Sequence, residues 1–149
     1  LVRAAVTLFE PLAAESGISV SVHEDGSIKA PVDPGQVHQV VTNLLVNALQ
    51  AQPNGGAVRL SIGSATAASL DGGAAAHAVI AVEDDGPGIA PELRERIFEP
   101  FFTTKDVGEG TGLGLSVAYG IVREHGGFFE VGAPQRGSRF EVHLPMGGA

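Results

Sequence analysis

The chain of 149 residues contains no cysteine and no tryptophan, and one methionine and one tyrosine. The missing thiols exclude disulfides and thiolate metal sites. Basic residues are scarce too: nine Lys and Arg stand against seventeen Asp and Glu, a formal charge of −8. A nucleic-acid binder usually carries a basic face, so the balance argues against that class. Its longest apolar runs fall well short of a membrane span. What is abundant is apolar and small: 44% hydrophobic residues, 17% charged and 21 glycines. A disordered tail does not fit that composition, and the length suits one domain, residues 1–149, with a real core. The sequence begins at Leu1, without Met, inside an apparent helix, and is read as a piece of a longer chain.

Periodicity divides the chain. Residues 1–16 place Val2, Val6, Phe9 and Leu12 or Ala13 on one side of a helix, which Pro11 should kink or split. The segment ISVSVHED alternates as a half-buried strand. Asp33 and Pro34 open a second helix, as N-cap and first-turn proline, running to about Gln52. AVRLSIG and AVIAVEDD read as strands, and residues 64–77, small and Gly/Ala-rich, as a loop joining them. PELRERIF reads as a short helix, residues 103–112 as a mobile glycine-rich loop, and Gly112–His125 as a helix with Leu113, Val117 and Ile121 spaced as core. FFEVGA and SRFEVHLP close the chain as strands. This order predicts an α+β fold, a mostly antiparallel sheet with helices on one face.

The second helix carries an unusual stripe. At about 100° per residue, Val37, Val40, Val41, Leu44, Leu45, Ala48 and Ala51 share a broad apolar arc. Gln39, Asn43, Asn47 and Gln50 form a narrower arc beside it, and no charged residue lies between Asp33 and Gln52. A solvated polar face is the ordinary reading, but such faces are normally rich in Glu, Lys and Arg. Neutral amides offer oxygen to a hard cation and N–H to a phosphate without adding negative charge.

Three further stretches carry glycine or aromatic signals. DDGPGI follows a strand: Asp84 can accept a hydrogen bond from an exocyclic amine, and Gly86 and Gly88 let a ring approach. Alone, it is also an ordinary strand-ending turn. Gly108, Gly110, Gly112 and Gly114 lead into a helix, where free N–H groups cradle phosphates, although the pattern is neither a Walker A loop nor a dinucleotide fingerprint. IFEPFFTTK packs Phe98, Phe101 and Phe102 close together, a cluster suited to anchoring a loop. Lys105, just after it, is placed to reach a terminal phosphate or to stand as a plain surface charge. His125, followed by glycines, suits a helix C-cap.

In this order and spacing, the stretches resemble the catalytic and ATP-binding domain of two-component sensor histidine kinases, which share their fold with DNA gyrase, MutL-type ATPases and heat-shock chaperones. HQVVTNLLVNALQAQ resembles the N box, DDGPGI the G1 box, IFEPFFTTK the F box, GEGTGLGL the G2 box and GSRFEVHLP the closing strand. FFTTK and SVAYGIVREHGG are most similar to the nitrogen-regulation type. The resemblance implies a two-layer Bergerat fold, with a mixed, mostly antiparallel sheet of about five strands covered on one face by about three helices. It implies ATP and Mg²⁺ as ligands, with Asn47 on the metal and Asn43 near the phosphates. Asp84 would read the adenine amino group, supported by the Ser138 hydroxyl, with Gly86, Gly88 and Ile89 shaping that pocket. Gln50 belongs to the N-box stripe. Lys105, Gly108, Gly110, Thr111, Gly112, Leu113, Gly114 and Leu115 would form the lid, with Asn43 and Lys105 nearest the chemistry. None of the five histidines lies in the HExxxP pattern of the phosphoacceptor. The resemblance therefore implies transfer to a histidine on a separate dimerisation domain of the same kinase, and a response regulator downstream. It implies a cytoplasmic domain, monomeric on its own, without membrane contact. The hydrolysing relatives carry a glutamate one turn before the metal asparagine; Asn43 stands there and cannot act as a general base. That favours a kinase over an ATPase of the same fold. A non-catalytic nucleotide-binding module and an anti-sigma-type serine kinase complete the alternatives.

Overall fold

Strand register puts two chemically different faces on one sheet. The computed structural model describes residues 2–26, 28, 30–68, 73–94, 96–99, 114–132 and 137–146. Along the chain these form α1 (Val2–Glu15), β1 (Ile18–Glu24), α2 (Pro34–Gln50), β2 (Gly56–Ala68), β3 (Ala74–Asp84), two 3₁₀ turns (Pro91–Leu93 and Arg96–Phe98), α3 (Gly114–Glu124), β4 (Phe128–Gly132) and β5 (Ser138–Pro145). The strands lie in the order β1-β2-β3-β5-β4. Among the described residues only the β1–β2 pair is parallel, and the other three pairings are antiparallel. The expected mixed, mostly antiparallel sheet with three helices is what forms.

Side chains alternate across each strand, so cross-strand partners share a face. Leu60, Val82, Phe140 and Val131 make one row, and Ile62, Ile80, Val142 and Phe129 the next. The helices cover this face with Val2, Val6 and Phe9 of α1, Val40, Val41, Leu44 and Leu45 of α2, and Ala118, Ile121 and Val122 of α3. On the opposite face the register aligns Arg59, Glu83 and Arg139, then Ser61, Ala81, Glu141 and Glu130. Opposite charges meet there: Arg139 Nη1 lies 3.2 Å from Glu83 and its Nε 2.8 Å from Glu141. Among the described residues no helix is long and apolar enough to cross a membrane.

Four local readings change. Residues 64–77 are not mainly a loop: β2 runs to Ala68 and β3 starts at Ala74, with Ser64 opposite Ala78 and Ala65 opposite His77. The ladder is made by backbone groups, which small side chains do not disturb. Pro11 does not end the first helix, which runs through it to Glu15. It sits on the exposed side, while Ala13, not Leu12, completes the buried stripe. PELRERIF forms the two short turns instead of one helix. On α3, Val117 is 39% exposed, and Ala118 and Val122 take the core positions beside Ile121. Ala118, Ile121 and Val122 keep the three- and four-residue spacing of a helix face. Leu113 lies outside the described residues.

Burial pushes the Glu141 carboxyl up, but hydrogen bonds from Arg139 and His143 outweigh it and hold the group below the usual Glu range. A depressed folded pKa means the contribution is present above the unfolded value and is lost as pH falls through the folded one. Acid titrations of stability should therefore show a shallower loss below the ordinary Glu range for Glu141→Gln than for the wild type. At neutral pH the variant should be less stable by about 1 kcal/mol or less, as for other surface pairs.

Candidate functional site

Asp84 is the last residue of β3 and shares a row with Val58 and Ser138 on the helix-covered face. The residue is 2% exposed. A buried charge needs hydrogen bonds, and two are supplied locally. The Gly86 N–H donates to Oδ1 at 2.8 Å, and the Ser138 hydroxyl donates to Oδ2 at 2.7 Å. Each oxygen keeps a second lone pair. One donor comes from β5 and the other from the turn just after β3, so the carboxylate is held from both sides.

The surrounding glycines are sterically required. A Cβ on Gly86 would lie 2.8 Å from the Ala51 carbonyl oxygen and 3.0 Å from Asp84 Oδ1. Gly88 has φ +81° and faces the Gly137 carbonyl, and Gly137 has φ +80° with its Cα against the Asp84 carbonyl. Side chains at either would be strained by the left-handed backbone and by contact. Ile89 packs beside the core at the end of this turn.

Helix α2 connects this corner to the amide stripe. Asp33 caps it: its carboxylate accepts from the Gln36 N–H at 3.0 Å, with Pro34 in the first turn. Val37, Val40, Val41, Leu44, Leu45 and Ala48 are buried. In the stripe, Gln39 and Gln50 are exposed, whereas Asn43 and Asn47 are half-buried. The Asn43 side-chain NH₂ donates to the Gly114 carbonyl at 3.0 Å, at the first turn of α3. The Asn47 side chain has no partner among the described residues, so its amide oxygen is available to a ligand. Leu115 packs against the core one residue into α3. Phe98 lies 5.0 Å from the rings of Tyr119 and Phe129, which fixes the start of the aromatic stretch against α3 and β4.

The structure thus gathers Asp84, Gly86, Gly88 and Ser138 into one corner and joins Asn43 to Gly114. Lys105, Gly108, Gly110, Thr111, Gly112 and Leu113, with Phe101 and Phe102, lie outside the described residues. Sequence reasoning missed Gln52. It is 4% exposed, its Oε1 accepts from the Ala57 N–H at 3.0 Å and the Asp85 N–H at 3.2 Å, and its Nε2 donates to the Ala48 carbonyl at 3.2 Å. One amide thereby ties the end of α2 to the start of β2 and to the backbone beside Asp84. Gly56 is needed under it, because a Cβ there would collide with the Gln52 amide. A polar residue directly before Pro53 reads as ordinary helix-ending chemistry, so nothing in the sequence sets it apart. Gly137 likewise stands out in the sequence only as the residue before the last strand. Gln52→Leu should cost about 1–2 kcal/mol in chemical denaturation, because two half-buried N–H groups lose their acceptor.

Residues 32–148 match the family described as histidine kinase-, DNA gyrase B-, and HSP90-like ATPase. Among curated relatives, sensor kinase CckA of Brucella abortus is 50% identical over 123 residues, which cover 76% of this chain and 13% of CckA. The sensory histidine kinase/phosphatase NtrB of Salmonella typhimurium is 40% identical over 118 residues, 78% of this chain and 33% of NtrB. This chain therefore spans a third or less of these relatives' length. The nucleotide-free catalytic domain of histidine kinase ThkA superposes with a TM-score of 0.80 at 31% identity, covering 97% of this chain and 91% of that domain. ThkA has also been solved in complex with the response regulator protein TrrA. The sheet order, the buried Asp84 corner and these similarities together place the chain in the histidine kinase-, DNA gyrase B- and HSP90-like ATPase family, as a catalytic domain of the histidine-kinase type.

Proposed function

We propose that this domain binds Mg·ATP and passes its γ-phosphoryl group to a histidine on a separate dimerisation domain of the same kinase. From there the group would pass to a response regulator, with this domain on the cytoplasmic side. The Asp84 corner is the observation that carries the reading. A buried carboxylate with fixed oxygens and open lone pairs, in a turn stripped of Cβ atoms, suits a flat ring bearing an exocyclic amine. Adenine fits; a purine with a carbonyl at that position would set oxygen against oxygen. Ser138 keeps the carboxylate aimed, and Gly86, Gly88 and Ile89 shape the ring's bed.

The triphosphate would run along α2 toward Asn43 and Asn47. From Ala51, beside Gly86, to Asn43 is eight residues, about 12 Å of helix. That is a distance a nucleoside triphosphate spans. Asn47, with its unengaged half-buried amide, would hold Mg²⁺, which supplies charge neutralisation at the phosphates. Asn43 and Gly114 would flank the phosphates, Gln50 the outer end of the stripe, and Lys105 with Gly108, Gly110, Thr111, Gly112, Leu113 and Leu115 the lid above them. A transferring phosphoryl group is served mainly by positioning and electrostatics, and an imidazole nitrogen brings its own lone pair. No base is therefore required of this chain.

Asn43 also explains why a carboxylate is disfavoured there. Its NH₂ donates to the Gly114 carbonyl, whereas a glutamate would turn an anionic oxygen toward that carbonyl. Mixed with Mg·ATP and a cognate histidine-bearing dimerisation domain, the chain should label the acceptor histidine and release little free phosphate. Asp84→Asn should lower transfer by at least about a hundredfold, the scale of losing an oriented contact at an active site. Asn43→Glu should lower transfer, with some gain in hydrolysis. Rapid hydrolysis by the wild type, or nucleotide binding without transfer to a verified acceptor domain, would reject the kinase reading.

A further inference from the structure

Helices α2 and α3 are pinned to each other twice. At one end, the Asn43 NH₂ donates to the Gly114 carbonyl, where α3 starts. At the other, the backbone N–H of Asp33, the N-cap of α2, donates to His125 Nε2 at 3.1 Å, just past the end of α3. The helices therefore run antiparallel. Their separations match: ten residues from Asp33 to Asn43 make about 15 Å of helix, and eleven from Gly114 to His125 about 16 Å. Between the pins, Val37, Val40 and Val41 of α2 and Ala118, Ile121 and Val122 of α3 are buried in one core.

The chemistry of the second pin is specific. A backbone N–H can only donate, so Nε2 must present a lone pair. His125 Nδ1 lies 2.8 Å from the Ile121 carbonyl, which can only accept, so Nδ1 must carry the hydrogen. One neutral tautomer satisfies both partners. A purely capping histidine needs only the bond to Ile121; the bond to Asp33 reaches 92 residues back along the chain.

We infer that His125 is a positioning residue, which sets the register of α3 on α2 and so fixes Gly114, the point where the glycine-rich segment enters its helix, against Asn43. Its action on nucleotide rests on the function proposed above; its action on the helix register does not. His125 touches no reacting atom. It works through the helix pair: with the far pin intact, the buried contacts hold one register, and the Asn43–Gly114 bond forms at full occupancy. When the far pin is lost, the Asn43–Gly114 bond is the one directional contact of the pair left to α3, and the apolar contacts constrain sliding poorly because they are not directional.

Three variants of the 149-residue chain separate this role from packing. His125→Gln can donate to Ile121 and accept from Asp33. His125→Lys can donate but has nothing with which to accept. His125→Phe fills the space and does neither. Two readouts apply: the Asn43 side-chain NH₂ resonances by NMR, and the affinity for a fluorescent ATP analogue with Mg²⁺. Gln should leave both near wild type. Lys and Phe should shift the Asn43 resonances and weaken nucleotide binding about five- to tenfold, the lower range of coupling between linked sites. Unmoved Asn43 resonances in Lys, or a Gln variant as impaired as Phe, would overturn the inference. Should Phe fail to fold, the comparison of Lys with Gln decides it. If the wild type binds no nucleotide, the functional proposal falls, and the Asn43 resonances still decide for or against the clamp.

Discussion

The hydrogen bonds to the Asp84 carboxylate are the constraint from which the rest of this architecture follows. A charge with 2% exposure is tolerable only if donors are waiting for it, and they arrive from two directions. Ser138 comes from the neighbouring strand because the β3–β5 register sets it opposite Asp84. Gly86 comes from the turn that follows, which must fold back tightly and can do so only without a side chain against Ala51. Gly137 must lie on the Asp84 backbone for Ser138 to be in place, and Gly88 must face Gly137. The sheet, the turn and the end of α2 are thus not independent. Moving any of them leaves a buried carboxylate short of a partner.

Helix α2 meets a second demand. Its apolar arc is needed to cover the sheet, yet its flank carries two half-buried amides that weaken it as a helix. That conflict between local preference and position is characteristic of functional sites. The strong ends compensate: Asp33 and Pro34 at the start, and the Gln52 amide, with its bonds to three segments, just beyond the end.

Much of this was legible in the sequence, and the exceptions have physical causes. Alternation in ISVSVHED and the Asp33-Pro34 start gave their elements directly, because local pattern and local chemistry agree there. The strands through residues 64–68 and 74–77 were hidden because small residues carry little periodic signal while their backbone still pairs. Pro11 gave a break signal that tertiary packing of Val6, Phe9 and Ala13 overrides. Asp84, Gly86 and Gly88 could be named as a candidate site, since turn glycines beside a strand-ending carboxylate leave a trace, whereas Ser138 was named through the family resemblance alone. Gln52, Gly137 and His125 act through partners 33, 53 and 92 residues away, and no local pattern encodes such distances.

If Asp84, aimed by Ser138 and Gly86, reads an exocyclic amine, the choice between adenine and guanine rests on that one carboxylate. Isothermal titration of the chain with Mg·ATP and with Mg·GTP, repeated on Asp84→Asn, tests it most directly. The wild type should prefer ATP by at least about a hundredfold, the scale set when a buried polar group loses its partner. Asp84→Asn, checked to be folded by circular dichroism, should lose most of that preference. Equal affinity of the wild type for ATP and GTP, or an unchanged preference in Asp84→Asn, would contradict it.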